Sequence, residues 1–166
     1  MQGGLVIRPA APSDIPAIRA LLVETWHHTY DRIFGADRVT EITDSWHAVE
    51  RLEAQVGIGD APFLVALQGD HIVGTVSIRR RSGESADLLR LYVRPQSQGQ
   101  GIGRALLYAG LAAAGQPASV SLEVERDNGS AIRFYRRIGF RPRDAAGGRR
   151  PGTDDGSTGV SMIWHR

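Results

Sequence analysis

The sequence predicts an α/β fold whose sheet is of mixed direction and mostly antiparallel, flanked by helices. Two patterns predict it. Phe63-Leu64-Val65-Ala66-Leu67, His71 to Ile78 and Leu88 to Val93 are β-rich runs set apart by short turns, Gln68-Gly69-Asp70 and Arg79-Arg80-Arg81-Ser82-Gly83, which together spell an antiparallel meander. Past Pro95 the pattern changes to helix, strand, helix, and that alternation adds crossover connections to the same sheet.

The elements follow in order. Leu5-Val6-Ile7-Arg8 alternates weakly and stops at Pro9, giving a first strand. Ser13-Asp14 offers an N-cap to a helix in which Ile15, Ile18, Leu21, Leu22 and Trp26 recur at helical spacing. A second helix is expected with Val39, Ile42, Trp46, Val49, Leu52 and Val56 on one stripe, ending near Gly57 and Gly59. Between these two helices lies an aromatic connection, Trp26-His27-His28-Thr29-Tyr30 and Phe34-Gly35. After the meander, Ile102, Leu106, Leu107, Ala109, Gly110 and Ala113 suit a helix that starts at glycines and ends by Gly115 and Pro117. Val120 to Val124 is a strand, Ser130 to Ile138 a helix halted at Gly139, and Phe140-Arg141 and Val160 to Trp164 are closing strands. Asp144 to Gly159, rich in Gly, Arg and Asp, reads as a long loop.

At 166 residues, one domain spanning 1–166 is expected, with a composition near the globular average. The first residues lack the charged and apolar regions of a signal peptide, and no apolar run is long enough to cross a membrane, so a cytoplasmic protein is expected. The absence of cysteine removes disulfides, thiolate metal ligands and any covalent route through an enzyme thiol. All 20 basic residues are Arg, yet the net charge is only +2, which does not call for nucleic acid as a partner. His27 and His28 have no third ligand at a metal-site spacing, so no metal is expected.

One segment carries chemistry. A strand closed by Pro95 leads into Gln98-Gly99-Gln100-Gly101-Ile102-Gly103-Arg104 and then a helix. Glycines there let backbone N–H groups approach an anion, and the helix N-terminus adds partial positive charge, so a pyrophosphate would fit. The dinucleotide fingerprint needs a different glycine spacing, and the nucleoside triphosphatase loop needs a Lys that the chain lacks. Taken alone, the cluster is also what an ordinary strand-to-helix turn looks like.

The spacing Gln98-x-x-Gly101-x-Gly103 after Val93-Arg94-Pro95 resembles the cofactor motif of the GCN5-related N-acetyltransferase family. A second block resembles the same family: Leu122-Glu123-Val124, then Asn128, Ala131 and, seven residues after the Asn, Tyr135, within Phe134-Tyr135-Arg136-Arg137-Ile138-Gly139-Phe140. The opening Ile7-Arg8-Pro9-Ala10 with Ser13-Asp14 is also typical of it. The resemblance implies the acyl-CoA N-acyltransferase fold, acetyl-CoA as cosubstrate and direct attack of an amine on the thioester. In the family the strand before the glycines splays from the next one. The resemblance therefore assigns the backbone of Leu91, Tyr92 and Val93 to pantetheine, Gln98 to Arg104 to the pyrophosphate, and Asn128 and Tyr135 to the neighbourhood of the thioester.

An alkyl amine with pKa near ~10 must lose a proton before it attacks. Glu123, twelve residues before Tyr135, is the leading base, with Glu84 and Asp87 as rivals and a solvated strand-face acid as its plainer reading. Tyr135 is placed to protonate the departing thiolate. Trp26, Tyr30 and Phe34 either line the acceptor pocket or, for Trp26 and Phe34, belong to the core. The acceptor is a small-molecule or peptide amine: a protein N-terminus, a small amine or amino acid, or an antibiotic amine. The alternative is a noncatalytic acyl-CoA sensor of the same fold. Arg79-Arg80-Arg81, Arg136-Arg137 and Arg149-Arg150 are candidates for the cofactor's 3′-phosphate, and the family's habits allow a homodimer.

Overall fold

The computed structural model describes residues 3–59, 61–143 and 159–166. The expected loop after Asp144, with Arg149-Arg150, falls outside them. Strands β1 (Leu5–Pro9), β2 (Phe63–Gln68), β3 (His71–Arg80), β4 (Ser85–Val93), β5 (Ser119–Glu125), β6 (Arg141–Pro142) and β7 (Gly159–His165) form one sheet in the order β1-β2-β3-β4-β5-β7-β6. Every neighbouring pair is antiparallel except β4 and β5, which run parallel. A parallel pair needs a crossover, and helix α4 (Ile102–Ala113) supplies it.

Alternation along the strands sorts the core into two layers. Leu64, Ala66, Val76, Ile78, Ala86, Leu88, Val120, Leu122 and Val124 pack with Ile102, Leu106, Leu107 and Leu111 of α4 and Tyr135 of α5 (Gly129–Ile138). Phe63 and Val65, one residue out of phase with Leu64 and Ala66, meet Ile15, Ile18, Leu21 and Leu22 of α1 (Ile15–Phe34) on the opposite face. Among the described residues no helix is long and apolar enough to cross a membrane.

Several expectations about individual elements are corrected. Helix α1 does not stop before the aromatic run but carries it: Trp26, Tyr30 and Phe34, four residues apart, form a ring stripe along its inner side, and burying that stripe outweighs the weak helix propensity of His and Thr. The second helix is two, α2 (Ala36–Trp46) and α3 (Val49–Gln55), parted by Ala48 in extended conformation. Two guanidinium groups cover the carbonyls at this break: Arg19 donates to His47 O (2.7 Å) and also to Thr43 O (3.3 Å), which accepts the His47 N–H as well, and Arg90 donates to Trp46 O (3.1 Å). The last short strand covers Arg141–Pro142, while Phe140 is fully buried.

Asp14 does not cap α1 through its side chain. Its carboxylate instead accepts both forks of Arg8 (2.7 and 3.0 Å) and the Ala11 N–H (2.8 Å), tying β1 to the turn before α1. The Arg8 hydrogen bonds hold the Asp14 carboxyl below its ordinary range, against the opposing cost of desolvation and with help from Ala11. A carboxyl whose folded pKa lies below its unfolded one stabilises the fold above the unfolded value and loses that contribution as pH falls through the folded value. Asp14→Asn is therefore expected to cost about 1 kcal/mol at pH 7, the exposed Arg8 being partly screened. Thermal unfolding followed against pH should show this deficit narrowing below about pH 4; a deficit constant down to pH 2 would discount the ion pair.

Candidate active site

The parallel pair β4/β5 opens into a gap. Its ladder contains only Ser85–Ser119, Ala86–Val120 and Asp87–Ser121, although β4 continues to Val93 and β5 to Glu125. The cause sits on the other edge of β4. There Ser77 of β3 faces Arg90 while Ile78 faces Leu88, so Leu89 is an extra residue, and such a bulge bends its strand.

Beyond the bulge the register decides which groups face the gap. Arg94 N–H donates to Val73 O (2.7 Å), which makes Val93–Gly74 a pair whose own N–H and C=O groups point away from each other. Val93 and, two residues back, Leu91 thus turn their backbone groups toward the gap. Tyr92, between them, spends its N–H and C=O on β3. The backbone assignment of Tyr92 is corrected on this ground. Its ring lies on the α1 face, where its hydroxyl accepts from Trp26 Nε1 (3.1 Å).

The glycine segment continues from this edge. A 3₁₀ turn, Pro95–Ser97, leads to Gly99 (φ 78°) and Gly101 (φ 80°), both in the left-handed region that side chains disfavour. Gly101 is the N-cap of α4, and no acidic residue lies in the first turn. After Gln98 N–H, which bonds Pro95 O, the next backbone N–H with an acceptor among the described residues is that of Ala105, on Gly101 O (3.1 Å). The N–H groups from Gly99 to Arg104, Ile102 and Gly103 included, are thus available to an anion. Side chains hold the turn in place. Gln98 Nε2 donates to Val93 O and Gln68 Nε2 to Gln100 Oε1 (3.0 Å each), while Glu24 of α1 accepts from Gln96 Nε2 (3.0 Å) and lies 3.3 Å from Arg94 Nε. Gln98 therefore braces the turn through its amide. Arg104 projects outward over the Tyr108 ring, 5.5 Å from its centre.

Across the gap, Asn128 caps α5 by accepting Ala131 N–H (3.1 Å) and donates through Nδ2 to the Tyr30 hydroxyl (3.1 Å). Tyr135, nearly two turns on, shares its face of the helix. The Tyr135 ring is buried edge-on against Phe134 (5.3 Å) and Phe140 (5.5 Å). Phe134 also lies against the backbone of Gly103, joining α5 to the start of α4.

Glu123 lies out of phase with Leu122 and Val124, hence on the α1 face of the sheet, opposite the face that Tyr135 packs against. It is exposed and accepts from Ser161 Oγ (2.9 Å). Asp87 instead sits in the closed part of the β4/β5 ladder with Arg79 (2.9 Å) and Arg81 (2.6 Å) on one carboxylate oxygen, and Glu84 precedes that ladder. Neither rival reaches the open end. Trp26 and Tyr30 are 1% and 4% exposed and belong to a cluster with Val39 and Ile42, whereas Phe34 is half-buried beside them.

A polar group on the α1 face leaves little local signal in the sequence. Arg90 is buried and donates to His47 Nδ1 (3.3 Å), Gln55 Oε1 and Trp46 O. Burial lowers the Arg90 pKa, opposed by Tyr92 and reinforced by Arg51. Glu125, at the end of β5, is likewise buried on this side. The trace in the sequence is a change of phase: Ala86 and Leu88 face α4, then Leu91 and Val93 do, leaving Arg90 and Tyr92 together opposite them.

The family profile described as acetyltransferase (GNAT) family matches residues 17–140, which contain the bulged strand, the glycine turn, Asn128 and Tyr135. The chain belongs to the GNAT family. Its sheet and flanking helices are the acyl-CoA N-acyltransferase fold. The CoA complex of the PaiA N-acetyltransferase from Thermoplasma acidophilum superposes with a TM-score of 0.86 at 23% identity, covering 98% of this chain and 99% of that one. Among GNAT sequences, a mycothiol acetyltransferase of Actinosynnema mirum is 33% identical over 115 residues, 62% of this chain and 39% of the relative. The chain thus spans well under half the length of that relative. A spermidine N(1)-acetyltransferase of Thermoplasma acidophilum is 24% identical over 147 residues, 85% of this chain and 91% of the relative.

Proposed function

We propose that this chain transfers an acetyl group from acetyl-CoA directly to a primary amine. The observation that carries the reading is the continuity of two polar surfaces: the gap-facing backbone of Leu91 and Val93 runs straight into the N–H groups of Gly99 to Arg104. A pantetheine chain carries amides that suit the first, and its pyrophosphate suits the second, with no carboxylate in the first turn of α4 to repel it. Val93 O already accepts from Gln98, which leaves the Val93 N–H and both Leu91 groups for the cofactor.

When bound, acetyl-CoA supplies a thioester carbonyl open to attack and a thiolate leaving group. The residues divide the proton work between the faces of the sheet. Glu123, on the α1 side, takes the proton of the incoming ammonium, directly or through water, because only the neutral amine attacks. Tyr135, on the α5 side, gives a proton to the departing sulfur. Asn128 fixes the turn between them. Two relatives are named for mycothiol and spermidine, both small molecules, so a search for the acceptor begins with small amines.

A ligand that binds only the native state stabilises it by about 2.7 kcal/mol at a hundred times its Kd. Acetyl-CoA or CoA at that level is expected to raise Tm by roughly 5–10 °C for a chain of this size. Thiol release should then appear with at least one member of a small-amine panel. Absence of any thermal shift with either nucleotide would sink the reading.

A further inference from the structure

Beyond the last ladder pair, Asp87–Ser121, no β4/β5 backbone pairing fixes the width of the gap. Something else must hold Leu91 and Val93 at a set distance from the turn that leads into α5. Two side-chain hydrogen bonds meet this need, and both come from one helix. Trp26 Nε1 donates to the Tyr92 hydroxyl (3.1 Å) on the β4 wall, and the Tyr30 hydroxyl accepts from Asn128 Nδ2 (3.1 Å) on the β5–α5 wall. The two rings are one helical turn apart on α1, with centroids 4.6 Å from each other, and Phe34 stacks on Tyr30 at 5.6 Å. Trp26 and Tyr30 are almost wholly buried, so their rigidity is set by packing.

We infer that Trp26 and Tyr30 form a strut across the open end of the β4/β5 gap and are positioning residues for the cofactor, not acceptor contacts. Resting on the acetyl-CoA reading above, the inference changes what these residues do in it. Tyr30 acts through Asn128. The Asn128 amide oxygen is committed to the helix cap, so only its Nδ2 can orient the amide plane relative to α1, and Tyr30 is the group that holds it. A preorganised wall binds more tightly than one that must be ordered on binding.

Tyr30→Phe keeps the ring stack and removes only the hydroxyl that Asn128 uses. Titration calorimetry with acetyl-CoA should show Kd rising about five-fold, the range of one lost hydrogen bond. KM for acetyl-CoA should rise in parallel while kcat at saturating cofactor stays within two-fold. Asn128→Ser retains a capping oxygen but no amide donor. In that background Tyr30→Phe should weaken binding less than it does in wild type, because the Asn128–Tyr30 hydrogen bond is already gone. A Tyr30→Phe protein that binds acetyl-CoA as wild type does, or effects that multiply in the double variant, would overturn the strut. If wild-type protein itself gives no acetyl-CoA binding, the cofactor reading fails first and the strut falls with it.

Discussion

Gly101→Val is expected to weaken acetyl-CoA binding about 100-fold or more, because a β-branched side chain there drives the turn out of the conformation that aims its N–H groups at the anion. Gly101 stands at φ 80°, ψ 6° as the N-cap of α4. A β-branched residue is a strong outlier there, with a backbone cost of at least 1–2 kcal/mol. The chain can keep the left-handed conformation and carry that strain, or let φ move to negative values. The second route rotates the peptide planes that carry the Gly101 and Ile102 N–H groups and breaks the array that faces the anion. Among the described residues, its two chain neighbours aside, nothing lies within 4 Å of a Cβ at Gly101, so the core itself is undisturbed and the fold should survive with a modestly lower Tm. Gly103→Ala is the matched control. Its Cβ would meet the Phe134 ring at 3.4 Å and Val93 Cγ2 at 3.6 Å, ordinary contacts, inside helical backbone. It should bind acetyl-CoA within about three-fold of wild type, since an added methyl in a tolerant helix position changes little. Equal affinities for Gly101→Val and wild type, measured by calorimetry, would remove the turn from the site.

What was legible in the sequence was local. The glycine turn is a strand end, a helix start and two φ-positive positions within a few residues, so spacing alone describes it. Asn128 and Tyr135 share one helix face for the same reason. The meander was legible because its turns are short and its alternation clear. The direction of a backbone group was not: Tyr92 is turned from the gap by its register against Thr75, and that register depends on Leu89 being bulged out. The Leu88-Leu89 doublet and the phase change after it were the only trace. Arg90, His47 and Gln55 come together over separations of 35 and 43 residues, which no local pattern records. The continuous α1 was hidden by residue types that favour helix weakly. Its length is fixed by the burial of Trp26 and Tyr30 against α2 and Tyr92 of β4 and by the Tyr30 hydrogen bond with Asn128, a tertiary effect.

The same separation of faces bears on the chemistry. Tyr135→Phe is expected to lower kcat about 100-fold, the lower end of what a positioned proton donor contributes, with KM for acetyl-CoA within about three-fold because the ring and its packing on Phe134 and Phe140 are kept. If Tyr135 serves the leaving sulfur and Glu123 the attacking amine, they act on different atoms from opposite sides of the sheet. Glu123→Gln should then fall in the same measure at neutral pH and recover as pH rises toward ~10, where the amine loses its proton to solvent unaided. Tyr135→Phe should show no such recovery, since a higher pH does nothing to supply the missing donor. The pH dependence of kcat in the two variants thus separates base from acid where a single rate at neutral pH cannot. Loss in Tyr135→Phe alone, with Glu123→Gln turning over as wild type, would leave the sulfur assignment standing and transfer the amine's proton to water held on the α1 face. Unimpaired turnover in both, on a verified amine at saturating acetyl-CoA, would take the chemistry away from these two residues altogether.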